Sequence, residues 1–216
     1  MKIFLDSIDL AAIHEYQDIG IINGVTTNPS LMAVSKMGFY ETAKDICMLV
    51  KGDVSIEVAS ITYEKMIEEG NKILNISSNV VLKLPLTIDG LKACKYFSDK
   101  GYKVNMTLCF SVNQAILAAK CGAYYISPFI GRLEDVKEDG LRLIKDIRQI
   151  YNNYGYDTQI LAASIRSTQH VKECAIIGAD VVTVPTQILS ELANHSLTAL
   201  GLKKFSDDWA KSGMEI

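Results

Sequence analysis

The chain has 216 residues, of which 49% are hydrophobic and 22% charged, and its formal net charge is -3. This composition is typical of a globular protein with one large core, and the acidic balance argues against a nucleic-acid-binding surface. No stretch approaches about 18 uncharged apolar residues, and Asp6 interrupts the first apolar run before a signal-peptide core could form. We therefore expect one domain in the cytoplasm, with neither nucleic acid nor a membrane as a partner.

Cysteine and histidine show no metal-binding pattern. The five cysteines are an odd number without C-x-x-C spacing, and most fall in apolar helical stretches, so we expect reduced, buried thiols. The three histidines lie far apart in helical segments, with no second ligand at metal spacing, which favours surface or helix-cap roles. The sequence predicts no metal ion and no other cofactor. These residues are Cys47, Cys94, Cys109, Cys121, Cys174, His14, His170 and His195.

Short apolar runs rich in β-branched residues recur along the chain, and each is followed by a helical pattern. This order is typical of βα units and a parallel sheet. Eight strands are predicted, at residues 2–6, 24–27, 54–59, 80–84, 103–108, 123–127, 159–163 and 181–184. We expect a helix after each of them.

Eight βα units in about 200 residues are the minimum for a TIM (β/α)8 barrel, whose strands close on themselves. A doubly wound open sheet is the competing fold, but no G-x-G-x-x-G or G-x-x-x-x-G-K-[ST] loop follows the first strand. All four prolines lie just after even-numbered strands, where each would end strand pairing, at Pro29, Pro85, Pro128 and Pro185. These observations favour the barrel.

An additional amphipathic helix is predicted at residues 196–212, with an apolar face formed by Leu197, Leu200, Leu202, Phe205 and Trp209. A closed barrel needs no ninth helix, so we expect this face to pack on the barrel flank or on a neighbouring subunit. Residues 1–195 would then form the barrel, and residues 196–216 a C-terminal segment of the same single domain.

Lys83 is the single charge in the apolar run V-V-L-K-L-P-L at residues 80–86. Taken alone, the run favours a lysine that snorkels to solvent from a strand end or guards an edge strand, because lysines are seldom fully buried. If Lys83 were buried, desolvation would disfavour its ammonium form, and the neutral amine would be a nucleophile. The other strands decide between these interpretations.

Alternate residues of a barrel strand face inward, and catalytic groups gather at the carboxyl ends of the strands. When every second residue of each strand is assigned to the inward face, seven of the eight strands place polar groups at the carboxyl end. These are Asp6, Thr26, Asn28, Glu57, Lys83, Asn105, Thr107, Ser127, Ser164 and Arg166. This set favours carbonyl chemistry through an imine, in which the Lys83 amine attacks a ketone and carboxylates move protons. Arg132 and Arg166 offer planar forks for a phosphate, with surface salt bridges as the alternative.

Six motifs, spread in order across almost the whole chain, resemble transaldolases, specifically the short subfamily related to fructose-6-phosphate aldolase. They read D-S, G-V-T-T-N-P-S, V-V-L-K-L-P-L-T, V-N-M-T-L-C-F-S, S-P-F-I-G-R and A-A-S-I-R-S. The resemblance implies that Lys83 is the Schiff-base lysine and that Asp6 shuttles the proton of the donor's C4 hydroxyl. It also implies that Glu57 and Thr107 hold the water that serves imine formation and hydrolysis.

The same resemblance implies which residues bind the substrate. They are Thr26, Asn28, Asn105, Ser127, Phe129, Arg132, Ser164 and Arg166. Asn28, Asn105 and Ser127 match positions that contact a dihydroxyacetone moiety. Ser164 and the two arginines match a phosphate site, which follows strands six and seven here, whereas the usual barrel phosphate site follows strands seven and eight.

Two positions separate transaldolases from fructose-6-phosphate aldolase, which has glutamine in place of Glu57 and tyrosine in place of Phe129. At both positions this sequence resembles the transaldolases. The implied reaction moves dihydroxyacetone from sedoheptulose 7-phosphate or fructose 6-phosphate to glyceraldehyde 3-phosphate or erythrose 4-phosphate, in the non-oxidative pentose phosphate pathway. Fructose-6-phosphate aldolase is the alternative activity, and a sugar-phosphate-binding barrel without catalysis is the alternative of another class. The resemblance further implies a homo-oligomer, a pentamer or decamer, that uses the last helix.

Overall fold

The computed structural model describes residues 1–215 and contains a closed barrel of eight parallel strands. Each strand pairs with the next along the chain, and β1 pairs with β8, so the predicted TIM barrel is confirmed. The strands are β1 (Lys2–Asp6), β2 (Gly24–Thr26), β3 (Asp53–Glu57), β4 (Val80–Pro85), β5 (Val104–Cys109), β6 (Tyr125–Pro128), β7 (Gln159–Ala162) and β8 (Val181–Val184). Each overlaps its predicted range, with bounds that differ by at most two residues.

The helices surround the barrel. They are α1 (Leu10–Asp18), α2 (Pro29–Met32), α3 (Phe39–Leu49), α4 (Tyr63–Leu74), α5 (Ile88–Ser98), α6 (Val112–Lys120), α7 (Ile130–Asp135), α8 (Gly140–Tyr154), α9 (Thr168–Ile177), α10 (Thr186–Glu191) and α11 (Ser196–Ser212). The second and sixth units each carry two helices instead of one. In the second unit, Asn28 caps the short helix α2, whose first residue is Pro29. No helix within residues 1–215 has the length and apolarity needed to cross a membrane.

The two faces of each strand contribute to different cores. Inside the barrel, below its carboxyl end, lies a set of buried side chains that we call the interior plug: Phe4, Val81, Tyr125, Leu161 and Val181. Leu82 and Leu84 belong instead to the larger core between strands and helices. The Tyr125 hydroxyl donates to Asp53 across 2.8 Å, and Lys103 pairs with the same carboxylate at 2.8 Å, so the amino end of the barrel has its own polar network.

Two non-glycine residues at the carboxyl end of the barrel have left-handed backbone conformations. Leu108 has a φ of 60° where β5 shifts register against β6 between Met106 and Cys109, and Ser164 has a φ of 57° just after β7. Such conformations are unfavourable for residues with a Cβ atom and concentrate at functional sites. Both residues line the cavity described below.

Helix α11 has the predicted bounds, but none of its residues is buried in the chain. Leu197, Leu200, Leu202 and Phe205 are each more than 60% exposed, so this face does not pack on the barrel flank of its own chain. A neighbouring subunit remains as the other predicted partner. Ile216, the last residue of the predicted C-terminal segment, lies outside the described residues.

The cysteines are all free, and Cys47, Cys94, Cys109 and Cys174 are buried, as predicted, while Cys121 is half-buried. Surface or helix-cap roles were predicted for all three histidines, and the prediction is confirmed for two of them and wrong for His170. His14 is exposed beside Asp18, and the His195 side chain accepts a hydrogen bond from the first turn of α11. His170 is buried, unlike the other two, and it lies 3.1 Å from a carboxylate oxygen of Glu134.

Candidate active site

A cavity of about 690 Å³ opens at the carboxyl end of the barrel. Ten of the twelve predicted site residues line it: Asp6, Thr26, Asn28, Glu57, Lys83, Thr107, Ser127, Phe129, Arg132 and Ser164. The period-two alternation of the strands turns the strand residues inward, and the segments that follow the strands add the others, such as Arg132 in α7. Asn105 and Arg166 do not line the cavity.

Lys83 lies in the middle of the inner face of β4 and is 5% exposed. Its Nζ atom is 2.9 Å from Oε2 of Glu57 on the adjacent strand, and it donates to the main-chain carbonyl of Thr27 across 2.9 Å. The snorkelling lysine favoured by the apolar run alone is therefore wrong. A buried cation requires a charged partner and hydrogen-bond acceptors, and here Glu57 on β3 supplies the charge and the Thr27 carbonyl just after β2 supplies an acceptor.

Asp6 is the second carboxylate of the cavity. The Thr26 hydroxyl donates to its Oδ1 atom across 2.8 Å. Burial raises the pKa of the Asp6 carboxyl above its ordinary value, while the hydrogen bond from Thr26 and the nearby Lys83 charge lower it to a smaller extent. Burial therefore gives this carboxyl a greater tendency to take up a proton than a surface aspartate has.

Thr183 is a cavity residue that the sequence analysis missed. Its Oγ1 atom lies 2.6 Å from Oγ1 of Thr26, and the residue is 5% exposed. The alternation of β8 offered a signal, because Thr183 lies two residues after Val181 and is the only polar residue in V-V-T-V. The Thr27 carbonyl was also missed, and no side-chain pattern could have indicated a main-chain acceptor.

Thr107 brings a hydroxyl to the cavity from β5. The residue is fully buried, and its Oγ1 atom has no hydrogen-bond partner among residues 1–215. A buried hydroxyl without a protein partner normally bonds to water or to a ligand. Its position fits a group that holds a small molecule in the cavity.

Asn105 lies behind the cavity wall. The Ser127 hydroxyl, which reaches the cavity, donates to Asn105 Oδ1 across 2.7 Å, and Asn105 Nδ2 donates to the Ser55 hydroxyl across 3.2 Å. Asn105 is fully buried in this chain of side chains. In this structure it orients Ser127 and does not itself face the cavity.

Asn28 has two roles at the mouth of the cavity. Its Oδ1 atom accepts from the main-chain N–H of Leu31 across 3.0 Å, which caps α2. The cap occupies the side-chain oxygen, so the amide nitrogen is the group that remains to donate into the cavity.

The arginines occupy different positions beside the cavity. Arg132 lines it, with its guanidinium 5.1 Å from the ring centroid of Phe129. Arg166 forms a two-bond ion pair with Asp135 at the end of α7. Gly131 leaves room for this arrangement, since a Cβ atom there would lie 2.5 Å from Nε of Arg166. Of these two arginines, Arg132 is therefore the one that faces the cavity.

Comparison with known proteins identifies the family of this chain. The model of the Transaldolase/Fructose-6-phosphate aldolase family matches residues 3–216. The chain belongs to this family. Proteins named "Probable transaldolase" from Dinoroseobacter shibae and Roseobacter denitrificans are each 56% identical to it, and one from Brucella ovis is 55% identical, over the full length of both chains in every case.

Membership in the transaldolase/fructose-6-phosphate aldolase family makes this chain an enzyme of the transaldolase or aldolase type. The cavity contains an amine, two carboxylates, hydroxyl groups, an amide and an arginine. Within residues 1–215 no group of three or more histidine, cysteine, aspartate and glutamate side chains is placed to hold a metal ion.

Proposed function

We propose that this protein is a transaldolase that transfers a dihydroxyacetone unit between sugar phosphates through a Schiff base on Lys83. The observation that carries the proposal is the buried pair of Lys83 and Glu57 at the base of a cavity that also holds Asp6. An enzyme that acts through an imine needs a lysine that can give up its proton. It also needs a separate group that takes a proton from the substrate when the carbon–carbon bond breaks. The two carboxylates meet these two needs.

The reaction begins when Glu57 accepts a proton from Lys83, since its Oε2 atom is 2.9 Å from Nζ. The free amine adds to the C2 ketone of the donor, and loss of water gives a protonated imine. Glu57 and the Thr107 hydroxyl hold that water, which accounts for the otherwise unpartnered buried hydroxyl.

Asp6 then takes the proton of the C4 hydroxyl. The bond between C3 and C4 breaks, its electron pair flows into the imine, and the first aldehyde leaves. The three-carbon enamine remains on Lys83 and adds to the aldehyde carbon of the acceptor, while Asp6 returns its proton to the new hydroxyl. Water finally hydrolyses the imine and releases the new ketose. The raised pKa of Asp6 suits a group that both accepts and returns a proton.

Arg132 and Ser164 bind the phosphate of the sugar in this proposal, with Arg166 beside them. An arginine fork matches phosphate oxygens in charge and shape. Asn28 and Ser127 bind the oxygens of the dihydroxyacetone unit, and Asn105 acts through its hydrogen bond to Ser127. The substrates are those implied by the sequence resemblance, and a cytoplasmic location in sugar metabolism follows from the same proposal.

Borohydride reduction in the presence of fructose 6-phosphate tests the mechanism. We expect a three-carbon adduct on Lys83, located by peptide mass spectrometry, and no adduct or turnover in Lys83→Met. Lys103→Met is the matched control, because Lys103 is also paired with a carboxylate but lies at the amino end of the barrel. It should retain labelling at Lys83. Labelling of a different lysine, or turnover by Lys83→Met, would refute the proposal.

Fructose-6-phosphate aldolase is the second candidate, because the description of the matching family includes it. Supplying the donor without an acceptor aldehyde separates the two activities. A transaldolase should stop after one equivalent, with the enamine held on the enzyme, whereas an aldolase should release dihydroxyacetone continuously. Binding of sugar phosphate without either outcome would indicate a non-catalytic barrel.

A further inference from the structure

We propose that Thr183 is a positioning residue that fixes the direction of the Thr26 hydroxyl and, through it, the ionised state of Asp6. The inference rests on the proposed function, in which Asp6 moves the proton of the C4 hydroxyl. Thr183 does not touch the reacting atoms in this scheme. It acts on them through one intervening side chain.

Three oxygen atoms form a short chain across the floor of the cavity. Oγ1 of Thr183 is 2.6 Å from Oγ1 of Thr26, which in turn is 2.8 Å from Oδ1 of Asp6. Each hydroxyl has one hydrogen to donate. An ionised carboxylate can only accept, so Thr26 must donate to Asp6 and cannot also donate to Thr183. Thr183 is therefore the donor to Thr26 whenever Asp6 is ionised.

The strand order explains why this chain matters for Asp6. Strand β1 lies between β2 and β8, and these two strands contribute no titratable or charged side chain beside the carboxyl. The charged groups that share the cavity are Lys83, Glu57 and Arg132. Among residues 1–215, Thr26 is the side chain that hydrogen-bonds to the Asp6 carboxyl, and Thr183 is linked to that carboxyl through the Thr26 hydroxyl.

Burial makes this support consequential. Thr26 and Thr183 are 2% and 5% exposed, so bulk water has little access to either hydroxyl. A hydrogen bond donated by Thr183 polarises the Thr26 hydroxyl and strengthens the bond that Thr26 donates to the carboxylate. The arrangement also occupies Oδ1, so Oδ2 is the oxygen available to exchange a proton with a ligand.

Replacing Thr183 with the nearly isosteric valine removes the donor. The ionised carboxylate is then less stabilised, and Asp6 ionises at higher pH. The acidic limb of the kcat profile should move up by about 0.3 to 0.7 pH unit, so that kcat on that limb falls about two- to fivefold and recovers toward alkaline pH. KM should change little, because Thr183 does not bind substrate in this scheme.

Two variants serve as controls. Thr183→Ser keeps the hydroxyl and should restore the wild-type pH profile. Thr158→Val removes another buried threonine hydroxyl, one that donates to the Ala123 carbonyl outside the cavity. It should lower stability without moving the acidic limb. If Thr183 had a purely structural role, Thr183→Val would likewise lose stability without a shift of the acidic limb of the kcat profile. An unshifted acidic limb in folded Thr183→Val would therefore overturn the inference.

A second measurement does not depend on turnover. Infrared titration of the Asp6 carboxyl, assigned with Asp6→Asn, should show ionisation at higher pH in Thr183→Val than in the wild type. If the wild-type protein has no transfer or aldolase activity, the proposed function fails, and this titration still tests the link between Thr183 and Asp6. If the wild type is active and the titrations coincide, only the role of Thr183 is refuted.

Discussion

At the residue scale, burial destabilises the ionised form of Asp6, and this has a consequence for stability. The native carboxyl binds its proton more tightly than the unfolded one, since its folded pKa is raised. The free energy of unfolding must therefore fall as pH rises from the unfolded pKa through the folded pKa. The side chain proposed to move the proton thus lowers the stability of the protein at neutral pH.

Asp6→Asn should unfold at a higher temperature than the wild type at pH 7, because the amide carries no charge to bury. A gain of about 1 kcal/mol would raise Tm by about 2–4 °C in a domain of this size. The difference in Tm should shrink as the pH is lowered toward the unfolded pKa of aspartate. At such pH the carboxyl becomes protonated in the folded and in the unfolded protein, so no charge has to be buried on folding. Calorimetry from pH 4 to pH 8 measures this, and a gap in Tm that widens on acidification would contradict the assignment.

Phe129→Tyr should shift the enzyme from transfer toward cleavage. The new hydroxyl would enter the cavity, where the Phe129 ring now offers no proton, and could hold or donate the proton that quenches the enamine. The ratio of acceptor transfer to free dihydroxyacetone release measures the change. Phe110→Tyr is the matched control, because this ring packs 5.7 Å from Phe129 but does not line the cavity. An unchanged ratio in Phe129→Tyr would contradict our account of this position.

Single residues also show what the sequence could and could not predict about the site. Strand alternation was sufficient to place Asp6, Glu57 and Lys83 on one inward face, because a period of two requires only local pattern. It gave Asn105 the same face but could not show that Ser127 stands between it and the cavity. The ion pair of Arg166 depends on α7, so its position also required the tertiary structure.

At the element scale, close packing of helix α4 on β4 and α5 depends on Gly70. A Cβ atom at Gly70 would lie 2.6 Å from the Phe97 ring and 2.8 Å from Leu82. Gly70→Ala should therefore lower the free energy of unfolding by about 1–3 kcal/mol, although alanine normally favours a helix. Urea titration measures the loss.

Gly201 provides the matched control for this substitution. It lies in the interior of α11, and a Cβ atom there meets nothing within 4 Å. Gly201→Ala should strengthen the helix by about 1 kcal/mol at most, without a packing penalty inside its own chain. Equal destabilisation by both substitutions would show that overpacking is not the cause.

Strands and helices were predictable to different degrees. The strands of the barrel are buried on both faces, so their apolar runs identified all eight. The second unit was harder, because the cap at Asn28 and Pro29 starts a short helix that ends before α3 begins. The irregularity at Leu108 could not be foreseen, since a register shift is defined only by the partner strand.

At the scale of the whole molecule, α11 leaves an apolar face uncovered. Trp209 adds to the exposed leucines and Phe205, and such a face on a chain in water commonly marks an interface between proteins. We propose that a second copy of the chain covers it in a homo-oligomer. The sequence resemblance suggests a pentamer or decamer.

Removing residues 196–216 should dissociate this assembly, while the remaining barrel stays folded. Light scattering after size-exclusion chromatography measures the mass of the particle, and circular dichroism reports folding. Lys203→Ala is the control on the same helix, because its side chain pairs with Asp207 on the exposed surface. If the truncated protein still forms particles with as many chains as the full-length assembly, the role of α11 would be contradicted.

The interior plug also determines how molecules reach Lys83. In the part of the chain that the structure describes, Phe4, Val81, Tyr125, Leu161 and Val181 fill the barrel beneath the cavity, so a molecule that approaches Lys83 would pass through the opening at the carboxyl end. A sugar phosphate that fills this opening blocks the approach of bulk water by its own volume. Hydrolysis of a lysine-bound intermediate would then compete with entry of the next sugar for one passage. Whether a sugar phosphate or water fills this opening would then decide whether the three-carbon unit is transferred to an acceptor or lost by hydrolysis.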